Sequence, residues 1–152
     1  MAASVALFIL AASVYQSNAR KQVQRLVLIN ERMGNTLLSA NAPDGTDFSI
    51  SYIHSVNKSP VTEYFKIIDG KIYLMALRFE SFGAGMPTEL DPMQSITYEN
   101  GNMLISGFNR HLPNLCVFIS RSDGQFLEIG DVSISLKTLD KPGEPIAFII
   151  EK

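Results

Sequence analysis

A chain of 152 residues has room for one domain with a genuine core and is too short for two of ordinary size. Apolar residues make up 46% and charged residues 18%, which argues against disorder, and a formal charge of −2 offers none of the clustered Lys/Arg that neutralising phosphates requires, which argues against nucleic acid as a partner. Cys116 is the single cysteine, so neither an intramolecular disulfide nor a thiolate metal cluster can be built within one chain; within Leu115-Cys116-Val117-Phe118 it reads as a small buried hydrophobe.

Residues 2–15 form an apolar run whose only ionisable side chain is the Tyr15 phenol, followed by Gln16-Ser17-Asn18-Ala19 and then Arg20-Lys21. The run is shorter than the roughly 20 residues a spanning helix needs and close to a signal-peptide core, and Ser17-x-Ala19 suits a small-residue cleavage site. No Lys or Arg precedes it, while Arg20, Lys21 and Arg25 follow, so charge alone leaves its orientation open. The expectation is an N-terminal hydrophobic helix over 1–21, as signal peptide or membrane anchor, then a β domain over 22–152 lying outside the cytoplasm. A buried cytoplasmic helix is the alternative.

Beyond residue 22 apolar and polar residues alternate between turn dipeptides. The pattern predicts strands over 23–30 and 36–40, around Met33-Gly34-Asn35, and then over 47–54. Asp69-Gly70 between 61–68 and 71–80, and Asn100-Gly101 between 95–99 and 103–108, are the strongest short-range hairpin signals in the chain. Strands over 115–120, 126–129, 132–136 and 146–151 follow, punctuated by Asp123-Gly124, Gly130-Asp131 and Pro142-Gly143. About ten short strands at such spacing predict an all-β fold, an antiparallel β-sandwich or a partly open barrel.

The Asp69-Gly70 turn pairs Ile68 with Lys71, and continuing that register opposes Phe65 to Leu74, Glu63 to Ala76 and Val61 to Arg78. Matching apolar to apolar in the preceding hairpin opposes Phe48 to Ile67, Ile50 to Phe65, Tyr52 to Glu63 and His54 to Val61. One face is then apolar at one end and carries Tyr52, His54, Glu63, Arg78 and Glu80 at the other. Core-facing charges must be paired, so this cluster reads either as a ligand site or as a Tyr-Glu-Arg-Glu plug with His54 satisfied by a backbone group.

Ser81-Phe82-Gly83-Ala84-Gly85-Met86-Pro87 follows at once, and glycines two apart, Gly83 and Gly85, allow successive N–H groups to form an anion-binding nest beside Ser81. A tight crossover packed by Phe82 is the other reading. The segment lacks the Gly-Lys-Ser/Thr of a P-loop and the third glycine of a dinucleotide fingerprint. His54, Ser55 and Glu63 include the residue types of a hydrolytic triad, yet neighbours on a strand point to opposite faces, and no Gly-x-Ser-x-Gly is present. A metal held by His54, Glu63 and Glu80 has no recognisable ligand spacing, and no cofactor is implied. His111, in Asn109-Arg110-His111-Leu112-Pro113, falls in a polar connection and is expected to be exposed.

Tyr52-x-His54-Ser55-Val56, Pro60-Val61-x-Glu63, Phe79-x-Ser81-Phe82-Gly83-Ala84-Gly85-Met86-Pro87 and, more loosely, Arg110-x-Leu112-Pro113 resemble a family of small bacterial domains of unknown function of the DUF1850 type. Its members are found beside or fused to TAXI-type TRAP transporter permeases. Met86 stands where leucine is more usual, a change that packing tolerates. The resemblance implies an exported or membrane-anchored domain associated with solute uptake and brings no catalytic residues. Three functions follow as expectations: a non-enzymatic accessory domain that binds a transporter component or a small anionic solute at Tyr52, His54, Ser55, Glu63, Arg78, Glu80, Ser81, Gly83 and Gly85; a metal-dependent or hydrolytic enzyme using His54 with Glu63 or Glu80; or a structural and interaction domain with no small-molecule site.

Overall fold

Asp69 and Gly70 take φ of 52° and 68°, and Asn100 and Gly101 take 51° and 79°, the double left-handed geometry of the two-residue hairpin turn whose twist matches its strands. These two turns anchor the larger sheet of a computed structural model that describes residues 23–80 and 89–152. Eleven strands are formed among those residues: β1 Arg25–Asn30, β2 Thr36–Asn41, β3 Asp47–Ile53, β4 Pro60–Ile68, β5 Lys71–Phe79, β6 Ser95–Glu99, β7 Asn102–His111, β8 Leu115–Phe118, β9 Phe126–Ile129, β10 Val132–Ser135 and β11 Pro145–Glu151. One short 3₁₀ turn, Leu136–Thr138, follows β10. The hydrophobic helix expected over 1–21 lies outside the described residues, among which no helix is long and apolar enough to cross a membrane.

Two antiparallel sheets result, neither closed on itself. The smaller has the order β2-β1-β11-β8 and the larger β10-β9-β3-β4-β5-β7-β6. Between them lie Leu26 and Leu28 of β1, Ile146 and Phe148 of β11 and Leu115 of β8, facing Phe48, Ile50, Phe65, Ile67, Ile72 and Leu74 of the larger sheet. Phe48 ties the layers together, its ring stacked 5.0 Å from Phe65 and 6.2 Å from Phe148. Each such ring contributes about 1.5–3 kcal/mol by leaving water, so this cluster is the main source of cohesion between the sheets.

A second cluster, Val61, Leu77, Phe79, Met103 and Ile105, has all its buried members on the larger sheet, with Tyr52, Ile96 and Phe108 packed against it. Phe108 packs against both clusters. Buried Asn30 pins the turn after β1: its Oδ1 accepts the N–H groups of Arg32 and Met33, and its Nδ2 donates to Asp140 and Glu144.

The predicted registers hold near the Asp69-Gly70 turn and fail further out. Ile68 opposes Lys71, Ile67 opposes Ile72 and Phe65 opposes Leu74 as expected, but the register then shifts at Met75, an extra residue on β5. Beyond this bulge Glu63 opposes Leu77 rather than Ala76, and Val61 opposes Phe79 rather than Arg78. The cause is packing: Leu77 and Phe79, 7% and 1% exposed, are out of step with Ile72 and Leu74, and one inserted residue buries all four on the same face. Arg78 is thereby turned to the opposite face.

A second irregularity answers it on β7. Leu74 opposes Arg110 whereas Ala76 opposes Ser106, so three residues, Gly107, Phe108 and Asn109, stand against Met75 alone. Gly107 and Asn109 take φ of 87° and 42°. Met103 and Ile105 face the core before this bulge, Phe108 and Leu112 after it, so Arg110, in phase with the latter pair, is carried onto the core face. The expected connection at 109–113 is therefore strand as far as His111, whose exposed ring lies 5.4 Å from that of Tyr73. The β3–β4 register also differs: Phe48 opposes Phe65, Ile50 opposes Glu63 and Tyr52 opposes Val61, two residues from the expected pairing, which leaves each residue on its expected face.

Candidate functional site

Glu63 sits on the inner face of β4 between Val61 and Phe65, each 1% exposed, with Ile50 and Leu77 opposite it on the flanking strands. A carboxylate so surrounded is stripped of much of its water. Burial accordingly raises the Glu63 pKa above the ordinary carboxylate range, opposed by the positive charge of Arg110 and by a hydrogen bond from Tyr52. Tyr52, diagonal to Glu63 across the β3–β4 ladder, has its phenol pushed up to about 12 by burial, by the Glu63 charge and by that hydrogen bond, so it remains a protonated donor at neutral pH.

These side chains line a cleft of about 400 Å³. One side is the inner face of the larger sheet, with Phe65 and Leu74 behind Glu63; the other is β8, the edge strand of the smaller sheet, with Leu115 to Phe118. Arg110 is exposed, as is Phe118, while Leu112 and Val117 are partly buried. Gln125 closes one end: it is buried, its Oε1 accepts the Ser120 N–H at 2.7 Å and its Nε2 donates to the Phe118 carbonyl at 3.1 Å. Its amide is therefore committed to holding the turn after β8.

The ion pairs closer than 4.0 Å among the described residues are Arg32–Glu144, Lys66–Asp47 and Lys137–Asp123. Glu63 and Arg110 are not such a pair; both line the cleft from the larger sheet, and the Arg110 charge acts on Glu63 through space. Cys116 shares the cleft and donates its thiol to Glu31 at 3.3 Å. Burial and the Glu31 carboxylate push that thiol up to about 11, so it stays protonated at neutral pH; it is half-buried and hydrogen-bonded, not the fully buried hydrophobe expected.

Tyr52 and Glu63 therefore come together as the sequence pattern anticipates, and Arg110 stands where Arg78 was expected. Arg78 lies on the outer face, 5.6 Å from the centroid of Tyr64, in a separate depression of about 250 Å³ with Glu99 and Asn102. His54 does not line the cleft: its Nδ1 accepts the N–H groups of Val56 and Asn57 at 3.3 and 3.1 Å, organising the turn between β3 and β4. Backbone satisfaction of His54 was the expectation under the plug reading. Ser55 is exposed in the same turn and Glu80 is exposed beyond β5. Ser81, Gly83 and Gly85 lie outside the described residues. No group of three or more metal-ligating side chains occurs among the described residues.

Arg110 and Gln125 are the site residues that alternation alone misses. The signal for Arg110 was present, since Ile105 and Phe108 are both large, apolar and out of step, which implies an intervening bulge. Comparison with curated proteins and with solved structures gave no match. More than half of the chain, residues 48–136, matches the sequence model of a family described as a domain of unknown function, and the span takes in β3 through β10 with Tyr52, Glu63 and Arg110: the chain belongs to the DUF1850 family.

Proposed function

We propose that this chain is a non-enzymatic binding domain that holds a small, carboxylate-bearing solute in the cleft between β8 and the inner face of the larger sheet. The observation that carries this reading is the partly buried Glu63 sharing a cleft with an exposed Arg110 without a direct ion pair, in a volume suited to a small molecule. A plug would bring those charges into contact, because an uncompensated buried carboxylate is costly. Binding rather than turnover is supported by His54, whose Nδ1 is taken up by the turn backbone.

The apolar segment over 2–15 supports export or membrane anchoring, and the family resemblance supports a place beside a TAXI-type TRAP transporter, as an accessory that presents or senses its solute. A thermal-shift screen of small carboxylates on the full chain, repeated on Arg110→Ala, tests the site; co-purification with the neighbouring permease tests the association. Carboxylates that raise the melting temperature of the parent and not of Arg110→Ala are expected. A screen without a hit, or hits indifferent to Arg110, would overturn the assignment of the cleft.

A further inference from the structure

From the paired charges of the cleft we infer that its solute is a zwitterion, an α-amino acid with an apolar side chain, bound with its ammonium at Glu63 and Tyr52 and its carboxylate at Arg110. This rests on the cleft being a solute site and says which chemistry it selects. Among the described residues, the polar side chains of the cleft free to meet a ligand are few and include charges of opposite sign. Gln125 is consumed by the backbone of Ser120 and Phe118, and the Cys116 thiol by Glu31. What remains inward is the Glu63 carboxylate with the Tyr52 hydroxyl, and at the exposed side the Arg110 guanidinium.

A simple anion satisfies Arg110 but is repelled by the partly buried Glu63 carboxylate. A simple cation satisfies Glu63 but leaves Arg110 as a like charge beside it. Only a molecule carrying both charges meets both groups, and in an α-amino acid they sit on two substituents of one carbon; charge-assisted hydrogen bonds to each make the match selective. The rest of the cleft lining includes apolar surface: Leu112, Val117 and Phe118 offer contact to an aliphatic or aromatic side chain, and Phe118 is 63% exposed. A cleft of about 400 Å³ accommodates such a molecule.

Isothermal titration calorimetry on the full chain in detergent, with L-leucine, L-phenylalanine, 4-methylpentanoate and 3-methylbutylamine, tests the inference. The expected result is binding of an amino acid with each singly charged analogue about tenfold or more weaker. Glu63→Gln, which keeps size and shape, is expected to erase the preference for L-leucine over 4-methylpentanoate, and Arg110→Met to erase its preference over 3-methylbutylamine. Melting curves of both variants establish that they are folded, and Tyr52→Phe serves as a milder change at the ammonium end. If 4-methylpentanoate binds the parent as tightly as L-leucine, the zwitterion is overturned while a carboxylate site stands. If no probe binds but another carboxylate stabilises the parent and not Arg110→Ala, the zwitterion again fails alone. Silence in both experiments removes the cleft as a solute site altogether.

Discussion

Gly107 holds the bulge that delivers Arg110 to the cleft, and replacing it with alanine tests that device directly. Its φ of 87° is a left-handed conformation that costs an L-residue about 1–2 kcal/mol. A Cβ built there also collides with the main-chain carbonyl of Met93, and a backbone group can move aside only if the turn before β6 separates from β7. Together these should cost about 2–4 kcal/mol, a fall of roughly 5–15 °C in melting temperature for a domain of this size. Gly101→Ala is the internal control. Its φ of 79° is as unfavourable to alanine, but nothing lies within 4 Å of the added methyl, so only the conformational cost applies. Urea melts of the parent and both variants give the comparison. If Gly107→Ala loses no more stability than Gly101→Ala, β7 does not approach Met93 as described and the account of how Arg110 reaches the core face is wrong.

Glu63→Gln should melt no lower than the parent at pH 7. The folded-state pKa of Glu63 is raised, so its favourable contribution is present below the unfolded value and lost as pH rises through the folded one; glutamine mimics the protonated form, and the gap between variant and parent should close on acidification to pH 4. The lowered carboxylates Asp44, Asp123 and Asp140 act oppositely, losing their contribution as pH falls, and cancel in the difference. A gap independent of pH between 4 and 7 would show that Glu63 is not desolvated. Cys116, with its thiol at about 11, should be alkylated by iodoacetamide at pH 8 on the order of a hundredfold more slowly than a free cysteine, whose pKa is about 8.5. Alkylation at the free-cysteine rate would refute its burial beside Glu31.

The fold was legible wherever local chemistry dictates geometry. Asp69-Gly70 and Asn100-Gly101 announce their turns because both central residues need positive φ, and alternation located nearly every strand within a residue or two. Alternation reports which face a residue occupies and says nothing of register at even offsets. A two-residue slip of β3 against β4 is therefore invisible in the pattern, and the offset is set instead by the turn that His54 organises. Carried rigidly past Met75, the same alternation put Arg78 on the wrong face. The out-of-step pairs Leu74 with Leu77 and Ile105 with Phe108 betray the two bulges, and reading them as such would have exchanged Arg78 for Arg110. The polar pair Tyr52 and Glu63 was found because the extra residues fall on β5 and β7, while β3 and β4 pair without a bulge and keep their own alternation throughout.

The pairing of β1 with β11 joins residues more than a hundred positions apart, from Arg25 opposite Glu151 to Asn30 opposite Ile146. Local hairpins such as β4–β5 close small loops, whereas this ladder closes nearly the whole domain and carries the largest entropic cost of any pairing in the fold. Among the described residues β8 pairs with β11 alone. The wall of the cleft thus hangs on the pairing that is slowest to close, and a chain interrupted before residue 145 would keep the Glu63 face of the larger sheet while having no second wall to set against it.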